Sequence, residues 1–99
     1  MPLKKSDVYL IVFPKSGKAI KEIRELFKRR EKQFNKAIDK LEKDPIDFTI
    51  KDIEKVHNHD FGEYTIRVSK GDRLFYDVDQ KLRKVYILRA GKHDLYRLG

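Results

Sequence analysis

The sequence predicts an α+β fold: a small single domain over residues 1–99, with an N-terminal strand, a helical hairpin and then a mainly antiparallel sheet. Three observations carry this. From Glu63 onward the apolar residues recur with period two, as in strands that bury one face. From Lys18 to Lys43 they recur at helical spacing, in a stretch without Pro or Gly. The chain has 99 residues, enough for one modest core and no second module.

Val8 to Phe13 reads VYLIVF, an apolar run rich in β-branched and aromatic residues and ended by Pro14. Such a run is expected to be a strand buried on both faces, or on one face and an interface. Ser16 is a candidate N-cap for the helical stretch that follows. There Ile20, Ile23, Leu26, Phe27, Phe34, Ala37, Ile38 and Leu41 form one apolar stripe, but Lys28 to Gln33 contains no apolar residue. Ile20, Phe27, Phe34 and Leu41 keep a seven-residue spacing that suits a single helix. A straight helix of that length would span about 39 Å, more than the remaining strands can cover. A hairpin breaking near Arg29 to Glu31 is therefore preferred. Its tip carries the basic Lys28-Arg29-Arg30 cluster, read as a solvated helix turn.

Asp44-Pro45 stops the helix. Ile46 to Asn58 reads as irregular, with a short helical turn at Lys51 to Lys55. Then Tyr64, Ile66 and Val68 point one way, and Thr65, Arg67 and Ser69 the other. After the turn Ser69-Lys70-Gly71-Asp72, Leu74, Tyr76 and Val78 face one side, with Arg73, Phe75 and Asp77 opposite. Gly71 is expected to supply a positive φ to that hairpin turn. Val85 to Leu88 is apolar on both sides, as in a central strand, and Gly91 opens a closing loop. One sheet face can therefore take the helices. On the other, Thr65, Arg67 and Arg73 come together beside Phe75, a cationic patch with an aromatic neighbour suited to a phosphate and a stacked base.

Charge narrows the partners. Lys and Arg number 24 against 16 acidic residues, a formal net charge of +8. Such a balance raises the local concentration of polyanions and favours nucleic-acid contact; the competing reading is a solvated shell. Without Cys, neither a disulfide frame nor a Cys-based zinc site can form, and a reduced, cytoplasmic setting fits. YLIVF is too short for a signal-peptide core, and no run approaches membrane-spanning length. No membrane partner, metal or cofactor is expected. His57 and His59 form an H-x-H without a third ligand pattern, so they read as solvent-exposed or hydrogen-bonded first.

The run GEYTIRVSKGDRLFYDVD, followed by VYILRAGKHDLY, resembles the RelE/ParE toxin superfamily. The likeness rests on the Tyr-x-Ile-Arg and Arg-Leu-Phe-Tyr blocks at this separation, and the order of strand, helical pair and sheet also matches. It implies a RelE-like fold and the toxin half of a type II toxin–antitoxin pair, with an antitoxin protein as partner. For RelE-like or YafQ-like members it implies a metal-independent endoribonuclease that cuts mRNA on the ribosome. A ParE-like inhibitor of DNA gyrase and a non-toxic basic nucleic-acid-binding module are the alternatives.

Residue by residue, the resemblance implies that Arg67 and Arg73 hold the scissile phosphate. Lys92 and His93 supply the basic final loop, and Tyr96 stands for the late aromatic. Thr65 departs from the pattern, since it stands where a basic residue is expected. The segment Gly91 to Tyr96 resembles the YafQ-type branch, where a histidine precedes a closing leucine-aromatic pair. The chemistry fits these residue types. Attack by a ribose 2′-OH needs a group to exchange protons and cations for the added phosphate charge. Histidine titrates in the right range. The expected catalytic set is His93, Arg73, Arg67 and Tyr96; the expected phosphate- and RNA-binding set is Lys92, Thr65, Lys70 and Phe75. A bland alternative pairs Arg67 and Arg73 with Asp72 or Asp77 across the hairpin.

Overall fold

Arg30 interrupts the long helical stretch. In the computed structural model, which describes residues 8–56 and 62–92, α1 runs Gly17–Arg29 and α2 runs Glu31–Lys43. Arg30 leaves the helical region at φ −137° and ψ 51°, while its N–H still donates to the Leu26 carbonyl at 2.9 Å. The preferred hairpin is therefore the observed one. Phe27 and Phe34, spaced as if for one helix, meet edge to face across the break with centroids 5.3 Å apart. Ser16 sits at the N-cap, but its side chain caps nothing; its backbone carbonyl accepts from the Ile20 N–H at 2.9 Å.

Among the described residues five strands form one sheet: β1 Leu10–Val12 before the helices, then β2 Ile53–Lys55, β3 Tyr64–Arg67, β4 Asp72–Asp79 and β5 Lys84–Lys92, in spatial order β1-β5-β4-β3-β2. β1 runs parallel to β5; the other three pairings are antiparallel. The α+β class and the mainly antiparallel sheet are as expected.

Four local expectations need correction. β1 is an edge strand, not one buried on both faces: Leu10 is 59% exposed and Phe13 48%. It is held by its backbone, with Tyr9 N–H donating to Glu42 O and Leu10 N–H to Arg83 O, both at 2.8 Å. Ile53 to Lys55 is a strand rather than a helical turn. Pairing with β3 and burial of Ile53 beside Ile66 decide a segment whose local preference is weak. Gly71 has no positive φ; Ser69 Oγ closes the turn instead, donating to Asp72 Oδ2 at 2.7 Å. β5 extends through Lys92, so Gly91 and Lys92 belong to the sheet rather than to a loop.

The glycine that does need left-handed backbone is Gly62, at φ 102°. A Cβ there would lie 2.8 Å from the Tyr76 carbonyl oxygen and 2.9 Å from Leu88 Cδ1. That contact sits at a register shift: Phe75 pairs with Arg89 and Tyr76 with Ile87, leaving Leu88 as the extra residue of a bulge.

The core lies between the hairpin and one sheet face. Leu26, Phe34 and Leu41 meet Ile66, Leu74, Tyr76, Val85 and Ile87 there. Tyr64 and Tyr76 fall on this face as the alternation requires, stacked at 5.8 Å, and Phe48 stacks on Tyr64 at 6.1 Å. The buried Tyr76 hydroxyl donates to the Pro45 carbonyl at 2.6 Å. Among the described residues, no helix is long and apolar enough to cross a membrane.

Candidate nucleic-acid interface

The strand alternation that sends Ile66 and Leu74 into the core sends Thr65, Arg67, Arg73 and Phe75 to the other sheet face. The register sets them in two rows: Thr65 opposite Phe75, and Arg67 opposite Arg73. Like charges directly opposite each other oppose strand pairing unless an anion compensates. For Arg73 that anion is Glu54 of β2, whose Oε2 accepts from Nη1 at 3.4 Å. The two carboxylates that the alternative reading offered these arginines, Asp72 and Asp77, have other partners. Asp77 Oδ1 accepts from the Glu63 N–H, and Asp72 is engaged by Ser69, Arg29 and Arg30.

Not all the candidate residues reach the surface. Arg67 is exposed, as are Lys70 at the turn and Lys92 at the end of β5. Arg73 is 3% exposed, and Thr65 and Phe75 are fully buried. The Thr65 hydroxyl donates to the Leu74 carbonyl at 3.1 Å, which satisfies it inside the sheet. Neither Thr65 nor Phe75 presents a surface to a nucleotide in this conformation. Across β5, Gly91 pairs with Arg73 and Lys92 with Asp72, so Lys92 stands one position from the arginine. His93 and Tyr96, like His57 and His59, lie outside the described residues.

Glu54 is the site residue that the sequence reading missed. The signal available was the alternation Ile53-Glu54-Lys55, which reads as a strand only once a partner is known. Among the described residues, no group of three or more His, Cys, Asp or Glu is placed to hold a metal ion. The described face presents the exposed Arg67 guanidinium beside the ion pair of nearly buried Arg73 with Glu54, and guanidinium groups suit a phosphodiester.

Beneath the turn, Asp72 organises a second group. Burial pushes its carboxyl pKa up. Hydrogen bonds from Ser69 and Arg29, with the charges of Arg29 and Lys92, outweigh that and hold it below the usual carboxylate range. On α1, Glu22 accepts two bonds from Arg89 of β5, at 2.8 and 2.7 Å, fastening the helix over the sheet. These bonds hold the Arg89 guanidinium above its usual pKa despite its partial burial.

Comparison with solved structures finds the same fold in several proteins. An archaeal RelE–RelB complex from Pyrococcus horikoshii matches at 24% identity, covering 88% of this chain and 97% of that one, with a TM-score of 0.65. A YoeB–YefM complex from Staphylococcus aureus matches at 21% identity, covering 86% and 97%, with a TM-score of 0.63. YafQ from Escherichia coli matches at 17% identity, covering 86% and 93%, with a TM-score of 0.62. The chain has the RelE-like fold that its sequence resemblance implies. No protein-family model matches the sequence, and no curated protein sequence does.

Proposed function

We propose that this chain is the toxin of a type II toxin–antitoxin pair, and that it inhibits translation by cleaving mRNA on the ribosome without a metal. The observation that carries the reading is the Arg67–Arg73 cross-strand pair on the sheet face away from the helices. A fold shared with RelE, YoeB and YafQ proteins supports it. In this reading the scissile phosphate takes the place of the Glu54 carboxylate at Arg73, and Arg67 approaches it from β3. Lys70 and Lys92 add positive field from the turn and from β5. His93 exchanges the proton between the attacking 2′-OH and the leaving 5′-oxygen, and Tyr96 stacks or orients. Thr65 and Phe75 support Arg73 from within the sheet. The partners are a cognate antitoxin, the ribosome and mRNA, in the cytoplasm.

The test is ribosome-programmed mRNA cleavage by the wild type, Arg73→Ala and His93→Ala. Loss of cleavage by 100-fold or more in each is expected, in line with the usual weight of a proton-transfer group or of one charge-stabilising donor. Full activity in both variants sinks the assignment. Primer extension on cellular mRNA after induction separates the classes: codon-phased cuts are expected, whereas intact mRNA with DNA damage would mean a gyrase inhibitor.

A further inference from the structure

A cleft runs along the helical hairpin, between α1, α2 and the end of β1. Its floor is apolar. Phe13, Ile23, Phe27, Phe34 and Ile38 line about 350 Å³ of it, and a second hollow of about 290 Å³, at Pro14 and Ile20, continues it past Phe13 and Ile23. Two of the rings lie open, Phe13 at 48% and Phe27 at 37%. The two walls carry opposite charge. On α1, Arg24 lines both hollows; Lys21, three residues before it, and Lys28, four after, lie on the same exposed stripe. Among the described residues none of these three cations has a hydrogen-bond or ion-pair partner. On α2, Asn35 lines the cleft, and exposed Glu31 and Asp39 stand about one turn before and after it. From Ile20 to Phe27 the groove is about 10 Å long, roughly two turns of helix. It opens on the helix layer, away from the sheet face of Arg67 and Arg73.

We propose that this cleft seats an amphipathic helix of the cognate antitoxin. Its apolar stripe covers Phe13 and Phe27, carboxylates line the edge that meets Lys21, Arg24 and Lys28, and the edge against Glu31 and Asp39 is neutral or basic. This rests on the toxin–antitoxin reading above, and it sets the partner's grip apart from the residues assigned to cleavage. Two packed helices offer a third the ridges and grooves it needs, and apolar anchors at helical spacing are how a helix lies in such a groove. A nucleic acid fits poorly, since its phosphates would meet Glu31 and Asp39 on one wall. A second copy of this chain also fits poorly: two hollows do not fill each other, and each chain carries a net charge of +8.

The probe is the small protein encoded by the adjoining gene, titrated into the full chain by calorimetry. Arg24→Glu/Lys28→Glu sets like charges against the acidic edge and should weaken binding about 100-fold or more. That loss should shrink in molar salt, where exposed charges are screened. Phe13→Ser removes an open apolar anchor and should weaken binding about 10-fold at any salt. A control of equal charge change, Lys36→Glu/Lys43→Glu on the exposed side of α2 turned from the cleft, should bind as the wild type does. Wild-type affinity in both cleft variants overturns the proposal alone. So does an equal loss in the control, which would report net charge, or a charge-reversal loss that ignores salt. So does a wild type that sediments as a dimer by itself and becomes a monomer with Phe13→Ser, which would give the cleft to a second copy. If the wild type does not bind the neighbouring gene product at all, the toxin–antitoxin reading fails first and takes this inference with it.

Discussion

Replacing Asp72 with asparagine tests how the hairpin is fastened to the sheet. Asp72 Oδ2 accepts from Ser69 Oγ at 2.7 Å, and the two carboxylate oxygens accept from Arg29 at 3.3 and 3.5 Å. Arg29 is half exposed, so its ion pair is screened and contributes less than about 1 kcal/mol. The Ser69 bond to a carboxylate is worth about 1.5–3 kcal/mol, and an asparagine carbonyl retains part of it. A net loss of about 1–2 kcal/mol follows, which in a domain of this size lowers Tm by roughly 4–16 °C. The loss should depend on pH. The folded-state pKa of Asp72 is lowered, so its contribution is complete above the unfolded-state value of about 3.9. It disappears as pH falls through the lower folded value. Thermal unfolding of both proteins by circular dichroism, at pH 7 and in steps to pH 3, reads this directly. The gap between wild type and Asp72→Asn should be full at pH 7 and narrow as the pH falls below about 3.9. Equal Tm values at pH 7, or a gap that stays constant into acid, would refute the reasoning.

Two further outcomes follow from the packing. Tyr76→Phe removes the donor to the Pro45 carbonyl, a buried 2.6 Å bond, and should cost about 1–3 kcal/mol in urea unfolding because the acceptor is left unsatisfied. Gly62→Ala puts a Cβ against the Tyr76 carbonyl at φ 102° and should cost about 2 kcal/mol or more. Its urea midpoint should fall well below that of Gly71→Ala, where a Cβ meets nothing within 4 Å.

Legibility in the sequence varied with how local each decision was. The helical hairpin could be read because Lys28 to Gln33 leaves the apolar stripe empty, and the β3–β4 alternation because Ile66, Leu74 and Tyr76 keep period two. β2 could not, because three residues bounded by turns become a strand only through Ile66 and Thr65. Alternation puts Thr65 and Phe75 on the face opposite the helices, where the structure has them. Their burial there is not a property of alternation, which gives direction and not depth. Glu54 is illegible in the sequence for the same reason as β2.

By itself the sequence determined the class of fold, the place of the helical break, the two arginines on one sheet face and the overall positive charge. These depend on periodicity and composition, which are local or additive. Only the tertiary structure decided that β1 lies parallel to β5 at an edge, that Glu54 meets Arg73, and that Arg29 and Arg30 share Asp72. Those contacts join residues 19 to 43 or more positions apart, through registers and packing angles that no local pattern encodes.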